Sequence, residues 1–114
     1  MRESQHNELS LKGTEERITA ILTNIHIIRS IRYSRSDYTA SNVLMDYTTA
    51  LEAVHLTDKQ ANALDYRYEK DLTQKEVSTL MGCTQQAVQQ HIKAAVKKIA
   101  IAYRGNTEGG VHNE

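Results

Sequence analysis

Apolar side chains recur every three or four positions along most of the chain, which is the spacing of one face of an α-helix. Two such stripes fill the first half. One predicts a helix over about 15–33 with Thr14 as its N-cap, and the other predicts a helix over about 39–55. The first stripe is wide and consists of Ile18, Ile21, Leu22, Ile25, Ile28 and Ile31. It must therefore pack on the rest of the chain, which we favour, or on a second copy.

Capping signals divide the second half of the chain into three helices. Thr57 is followed three residues later by Gln60, and Thr73 by Glu76, which are the two residue types of a capping box. These boxes predict one helix over about 58–70 and the start of another at 74. Gly82 can end that helix in the left-handed conformation, and Thr84 can cap a last helix over about 85–103.

The predicted elements give an all-α fold of about five helices. A short capped helix, a glycine turn and a longer helix are the parts of a helix-turn-helix, and two amphipathic helices precede them. We expect a disordered N-terminus over 1–13 and a helical region for packing or dimerisation over 14–55. The helix-turn-helix domain then covers 56–104, and a flexible tail covers 105–114.

Composition excludes several classes of protein. The chain has one cysteine and no proline, so it cannot hold an internal disulfide, and a turn-rich β fold is disfavoured. No apolar run approaches the roughly 20 residues of a membrane span, and no secretory signal is present. The five histidines are scattered, and no catalytic or phosphate-loop motif occurs. We expect a cytoplasmic protein that is not an enzyme and binds no metal or cofactor.

The net charge of zero hides a basic segment. Residues 72–104 hold five Lys or Arg against Glu76 alone, a local charge of +4, while residues 14–71 carry −2 and residues 105–114 carry −2. A basic segment of this kind is the electrostatic footprint of a phosphate-binding surface, although a solvated helix face has the same pattern. The charge alone leaves both readings open.

The last helix separates an apolar face from a polar one. On a helical wheel Val88, Ile92, Ala95 and Ile99 lie together, and the polar residues lie roughly opposite. Glutamine can bond adenine in the major groove, and lysine can neutralise phosphate. The sequence therefore predicts a DNA-binding face on this helix made of Gln86, Gln89, Gln90, Lys93 and Lys97.

Residues 56–99 resemble region 4 of bacterial sigma factors. The matching residues are Leu56 and Thr57, Arg67 and Tyr68, LTQKEV at 72–77, LMGCT at 80–84, and Ala87, Val88, Ile92, Lys93, Ala95, Lys97 and Lys98. The resemblance implies that Gln85, Gln86, Gln89, Gln90 and Lys93 read bases and that Thr73, Gln74, Lys75 and Lys97 lie near phosphate. It places Thr84, at the start of the recognition helix, in the same DNA-binding surface. It also implies RNA polymerase as a partner.

The chain departs from that family at two places. Sigma factors usually carry arginines in the recognition helix where this sequence has glutamines, and residues 1–55 do not resemble the region that melts promoters. We therefore expect a regulator similar to small phage or prophage late-gene transcription regulators rather than a complete sigma factor. Two alternatives stay open. One is a small terminase-like packaging subunit. The other is a module that binds RNA polymerase or a sigma factor without DNA.

Overall fold

The computed structural model describes residues 2–35 and 38–105, with side chains for 11–31 and 40–105. These residues contain six α-helices, one π-helical segment and no strand, which confirms the all-α prediction. The elements are α1 (Arg2–Thr23), α2 (Ile25–Arg35), α3 (Tyr38–Ala53), α4 (Asp58–Leu64), the π segment (Asp65–Glu69), α5 (Gln74–Met81) and α6 (Gln85–Arg104). The tail predicted from residue 105 lies, apart from Gly105, outside the described residues.

The first predicted helix differs from the structure at its start and near its middle. It begins at Arg2, so residues 2–13, which we expected to be disordered, continue the helix. No proline interrupts them, and Gly13 is tolerated at a cost of about 1 kcal/mol. The helix then breaks at Asn24, where the side chain donates to the Ala20 carbonyl at 2.8 Å. The backbone amide of Asn24 also donates to the Ala20 carbonyl, at 3.1 Å, and Asn24 separates α1 from α2.

The helix predicted over about 58–70 changes geometry halfway. The Thr57–Gln60 capping box forms at its start as predicted. From Asp65 the chain widens into the π segment, in which the Lys70 amide donates to the Asp65 carbonyl at 2.9 Å. The side chains of these two residues also pair at 2.9 Å. A five-residue spacing suits a π turn rather than an α turn, so this ion pair stabilises the wider geometry.

Helix α6 is the centre of the fold, because α1, α3, α4 and α5 all pack against it. The first apolar stripe is buried in the same core, so it packs within the chain as favoured from the sequence. The buried core residues are Ile18, Ile21, Leu22, Ile25, Leu44, Tyr47, Ala50, Leu64, Ala95, Val96, Ile99, Ala100 and Tyr103. The helix-turn-helix and the N-terminal helices thus share one core.

Candidate nucleic-acid interface

The turn between α5 and α6 has the geometry that its sequence predicts. Gly82 lies at φ 67°, in the left-handed region, and the amide of Cys83 donates to the Ser78 carbonyl at 3.1 Å. This bond closes a glycine-ended helix terminus. Val77 of α5 and Val88 of α6 are both fully buried. The turn therefore sets the angle between the two helices with little freedom.

Threonine hydroxyls cap both helices of the motif. Thr73 accepts from the amide of Glu76 at 3.1 Å, and the Glu76 carboxylate accepts from the Thr73 amide at 2.8 Å, which confirms the second capping box. Thr84 accepts from the amide of Ala87 at 3.0 Å. Each hydroxyl keeps a proton to donate, so a cap can also bond a phosphate oxygen.

Gln74 bridges the two helices. Its side-chain amide donates to the carbonyl of Gln85 at 2.9 Å and so joins the first turn of α5 to the first turn of α6. Sequence reasoning placed Gln74 near phosphate, and that contact stays a prediction. The bond itself shows that Gln74 positions the N-terminus of α6, where a recognition helix meets base edges.

The exposed face of α6 carries amides first and lysines later. Every predicted reader is exposed, whereas Val88, Ala95 and Ile99 on the other side are buried. The exposed residues are Gln85, Gln86, Gln89, Gln90, Lys93 and Lys97. Their arrangement offers bidentate amide groups at the helix start and positive charge one to two turns further on.

Lys98 does not share that face. Its ammonium donates to the carbonyl of His55 at 3.0 Å and to the side-chain oxygen of buried Gln60 at 2.9 Å. Gln60 accepts in addition from the amide of Thr57 at 3.1 Å. One of the five cations of the basic segment is thus used to join α6 to the start of α4, while Lys75, Lys93 and Lys97 are exposed.

A groove of about 610 Å³ lies beside the recognition helix. One wall comes from α1, and the other comes from the π segment, α5 and α6. We call it the α1–α6 groove, and its lining comprises Lys12, Glu15, Glu16, Thr19, Arg67, Tyr68, Gln74, Gln89, Ile92, Lys93 and Val96. Sequence reasoning missed the α1 residues and Arg67, because only the tertiary packing of α1 on α6 brings them together.

Arg67 is held in place at the edge of this groove. It donates to the carbonyl of Leu72 at 3.2 Å, and its guanidinium carbon lies 5.5 Å from the centre of the Tyr68 ring. Both contacts fix a long side chain at modest cost in entropy. Arg67 therefore adds a positioned cation next to Gln89 and Lys93.

Side chains of α2 form hydrogen bonds to the end of the π segment. Arg29 makes two bonds to the Glu69 carboxylate, at 2.8 and 3.0 Å, and this pairing lowers the pKa of Glu69. The Nε2 atom of His26 lies 3.2 Å from the Tyr68 carbonyl and 3.1 Å from the Glu69 carbonyl, so it carries a proton and donates. Nearby, burial raises the pKa of Tyr47 to about 12. The N-terminal helices thus help to position the segment that precedes the helix-turn-helix.

The described residues offer little support for metal binding or for a membrane-spanning helix. Within that part of the chain, no three His, Cys, Asp or Glu side chains come together as metal ligands. None of its helices combines the length and apolarity needed to cross a bilayer. Cys83 is a half-buried free thiol in the turn.

Comparison with known proteins agrees with the geometry. Residues 54–100 match the family model of sigma-70, region 4. Searches of curated proteins and of solved structures gave no match. The matched residues begin directly after α3 and run through most of α6, so they contain both capping boxes, the glycine turn and the exposed glutamines. Residues 54–100 therefore form a sigma region 4-like helix-turn-helix, a unit of DNA-binding transcription regulation.

Proposed function

We propose that this protein is a sequence-specific duplex-DNA-binding regulator of transcription that acts together with RNA polymerase. The observation that carries the proposal is the exposed row of glutamines and lysines on α6, presented by a capped and glycine-ended turn. The proposal assigns no catalytic reaction to the chain. Promoters of a phage or prophage are the proposed targets, and this part rests on the resemblance of the sequence alone.

The glutamines supply specificity and the lysines supply affinity. Gln86 and Gln89 are exposed near the N-terminus of α6, which is the part of a recognition helix that reaches base edges. A well-placed bidentate amide on adenine discriminates by about 1–3 kcal/mol against the wrong base. Lys93 and Lys97 follow along the same helix and would neutralise phosphates regardless of sequence.

The single recognition helix of the described residues supports a partner that adds affinity, and RNA polymerase is the partner that we propose. Specific sites are read by paired helices or by a helix whose partner supplies further affinity. The first stripe, which could have joined two copies, is buried in the core of a single chain. A homodimer formed through other N-terminal surfaces could supply the same additional DNA affinity. The symmetry of the DNA site that the protein selects distinguishes a dimer from a polymerase-assisted monomer.

Selection of bound fragments from a random duplex library tests the proposal. The full-length protein should enrich a single short site when polymerase assists it, and a palindromic site if it works as a dimer. Absence of any enriched sequence, with binding that disappears as salt rises, would refute sequence-specific recognition. Tight polymerase binding without any DNA affinity would support the protein-binding alternative, and a ring of many copies would support the packaging subunit.

Variants then test the assignment of roles. Substituting Gln86 and Gln89 with Ala should lower the ratio of specific to non-specific affinity, with little change in the salt dependence. Substituting Lys93 with Ala should weaken binding to all sequences and reduce the salt slope by about one. Asn62→Ala, at an exposed polar position of α4, is the matched control. If neither change on α6 exceeds this control, the recognition helix is wrongly assigned.

A further inference from the structure

The reading face of α6 is divided by the packing of α1. Gln89, Lys93, Val96 and Ala100 are spaced four, three and four residues apart, so they form one stripe along the helix. Val96 and Ala100 are buried in the core that α1 shares. Gln89 and Lys93 continue the same stripe towards the N-terminus and line the α1–α6 groove. Gln86, Gln90 and Lys97 do not line it.

The wall that faces Gln89 and Lys93 carries two carboxylates. Glu15 and Glu16 of α1 line the groove, with Lys12 one turn before them and Thr19 one turn after. The three ionised groups on this wall give a local charge of −1. The facing wall carries two cations, Arg67 and Lys93, of which the proposed function assigns Lys93 to phosphate. A phosphate that reaches Lys93 therefore enters a groove that two like charges also line, and their repulsion is screened as salt rises.

The backbone that carries these carboxylates is fixed. Ile18 is fully buried, and Ile21 and Leu22 are buried beside it in the core with α6. Ile18 lies only two residues after Glu16, so α1 is held to the core directly beyond the carboxylates. The two carboxylates can change rotamer, but they cannot leave the groove unless this part of α1 separates from the core.

We propose that Glu15 and Glu16 are an intramolecular restraint on DNA binding through Gln89 and Lys93. This inference rests on the proposed function and concerns the regulation of the same surface. In the folded chain the carboxylates compete with DNA phosphate for the cation in the groove, while the open side of α6 still meets DNA. A cationic partner surface that neutralises this wall would raise DNA affinity without touching the recognition helix.

The test compares the full-length protein with two double variants of equal net charge. One is Glu15→Gln with Glu16→Gln, which removes the carboxylates of the groove. The matched control is Asp46→Asn with Glu52→Gln on α3, since neither residue lines the groove. Fluorescence anisotropy gives the Kd for labelled duplex at about 0.1 M and about 0.3 M salt, and thermal unfolding verifies that each variant is folded.

We expect the groove variant to bind duplex DNA about four- to tenfold more tightly than the wild type at the lower salt. The gain should shrink to below about twofold at the higher salt, because screening weakens the repulsion. It should also shrink when Lys93→Ala is added, since the restraint acts through that residue. The α3 control should change the affinity by less than about twofold, as expected for charges further away.

Two results overturn the inference, and they differ from failure of the proposed function. If the groove variant gains no more than the α3 control, Glu15 and Glu16 do not restrain binding, although DNA binding itself stands. If the gain is the same with and without Lys93→Ala, the carboxylates do not act through Lys93 and the inference is wrong. If neither the wild type nor any variant binds duplex at the lower salt, the proposed function fails and the inference fails with it.

Discussion

Lys97 and Lys98 are adjacent in sequence but have opposite surroundings. The side chain of Lys97 is exposed on the proposed DNA-binding face. The ammonium of Lys98 donates to the His55 carbonyl at 3.0 Å and to the Gln60 side-chain oxygen at 2.9 Å. Substituting each lysine with Met keeps the apolar stem and removes only the charge. Comparing the two variants therefore distinguishes a lysine that contributes to DNA binding from a lysine that stabilises the fold.

The expected magnitudes follow from these contacts. Lys98→Met removes two charge-assisted hydrogen bonds, and because Lys98 and His55 are partly in contact with water, the net loss should be about 1–2 kcal/mol. For a chain of this size each kcal/mol lowers the Tm by about 4–8 °C. Lys97→Met removes no such bond, so the Tm should change by less than about 2 °C. It should instead reduce the salt slope of DNA binding by about 0.9.

Two measurements on the same samples distinguish these expectations. Differential scanning calorimetry gives the Tm, and duplex binding at a series of salt concentrations gives the slope of log K against log salt. Lys98→Met should lower the Tm and leave the slope unchanged. If Lys98→Met reduces the slope as much as Lys97→Met and leaves the Tm unaltered, Lys98 faces DNA and the contacts with His55 and Gln60 do not hold the fold.

Three further predictions concern the turn, the α2 contact and the cap. Gly82→Ala should lower the free energy of unfolding by about 1–2 kcal/mol, because φ is 67° at this position. An added Cβ meets nothing within 4 Å, so backbone strain accounts for the whole loss. Urea unfolding measures it, and a loss below about 0.5 kcal/mol would contradict the reasoning. Arg29→Met should cost about 0.5–1 kcal/mol near neutral pH, since the pair is partly exposed. Arg29 lowers the pKa of Glu69 in the folded state, so this stability is present above the unfolded pKa of about 4.3 and is lost as the pH falls through the folded value. The Tm difference between variant and wild type should thus shrink below about pH 4, and a constant difference would refute the assignment. Thr73→Ala should cost about 1 kcal/mol through the lost N-cap, measured against Thr79→Ala inside α5, and equal losses would argue against the cap.

Local features were predictable because their causes lie within a few residues. Thr57, Thr73 and Thr84 all cap helices as their side chains require, and Gly82 takes the left-handed conformation that ends α5. The exposed face of α6 follows from its periodicity. For these features no information beyond the neighbouring sequence is needed, since each bond closes within three to five residues.

Features that depend on distant partners were not predictable. In sequence the charge of Lys98 counts only toward the basic segment, and its partners lie about forty residues earlier. Two local features also gave no signal, since the interruption at Asn24 and the widening at Asp65 both occur inside regular apolar patterns. The groove residues of α1 have no signal of their own, since their role comes only from the surface they face.

The shared core has a consequence for how this motif can be inherited. In many regulators a helix-turn-helix is a module that recombination can move as a unit. Here α6 packs against α4 and α5 and also against α1 and α3. A gene fusion that carried residues 54–100 alone would leave Val96, Ile99 and Ala100 without the helices that cover them. The recognition surface and the N-terminal helices must therefore evolve together, and sequence change in α1 alters the DNA-binding element as directly as change in α6.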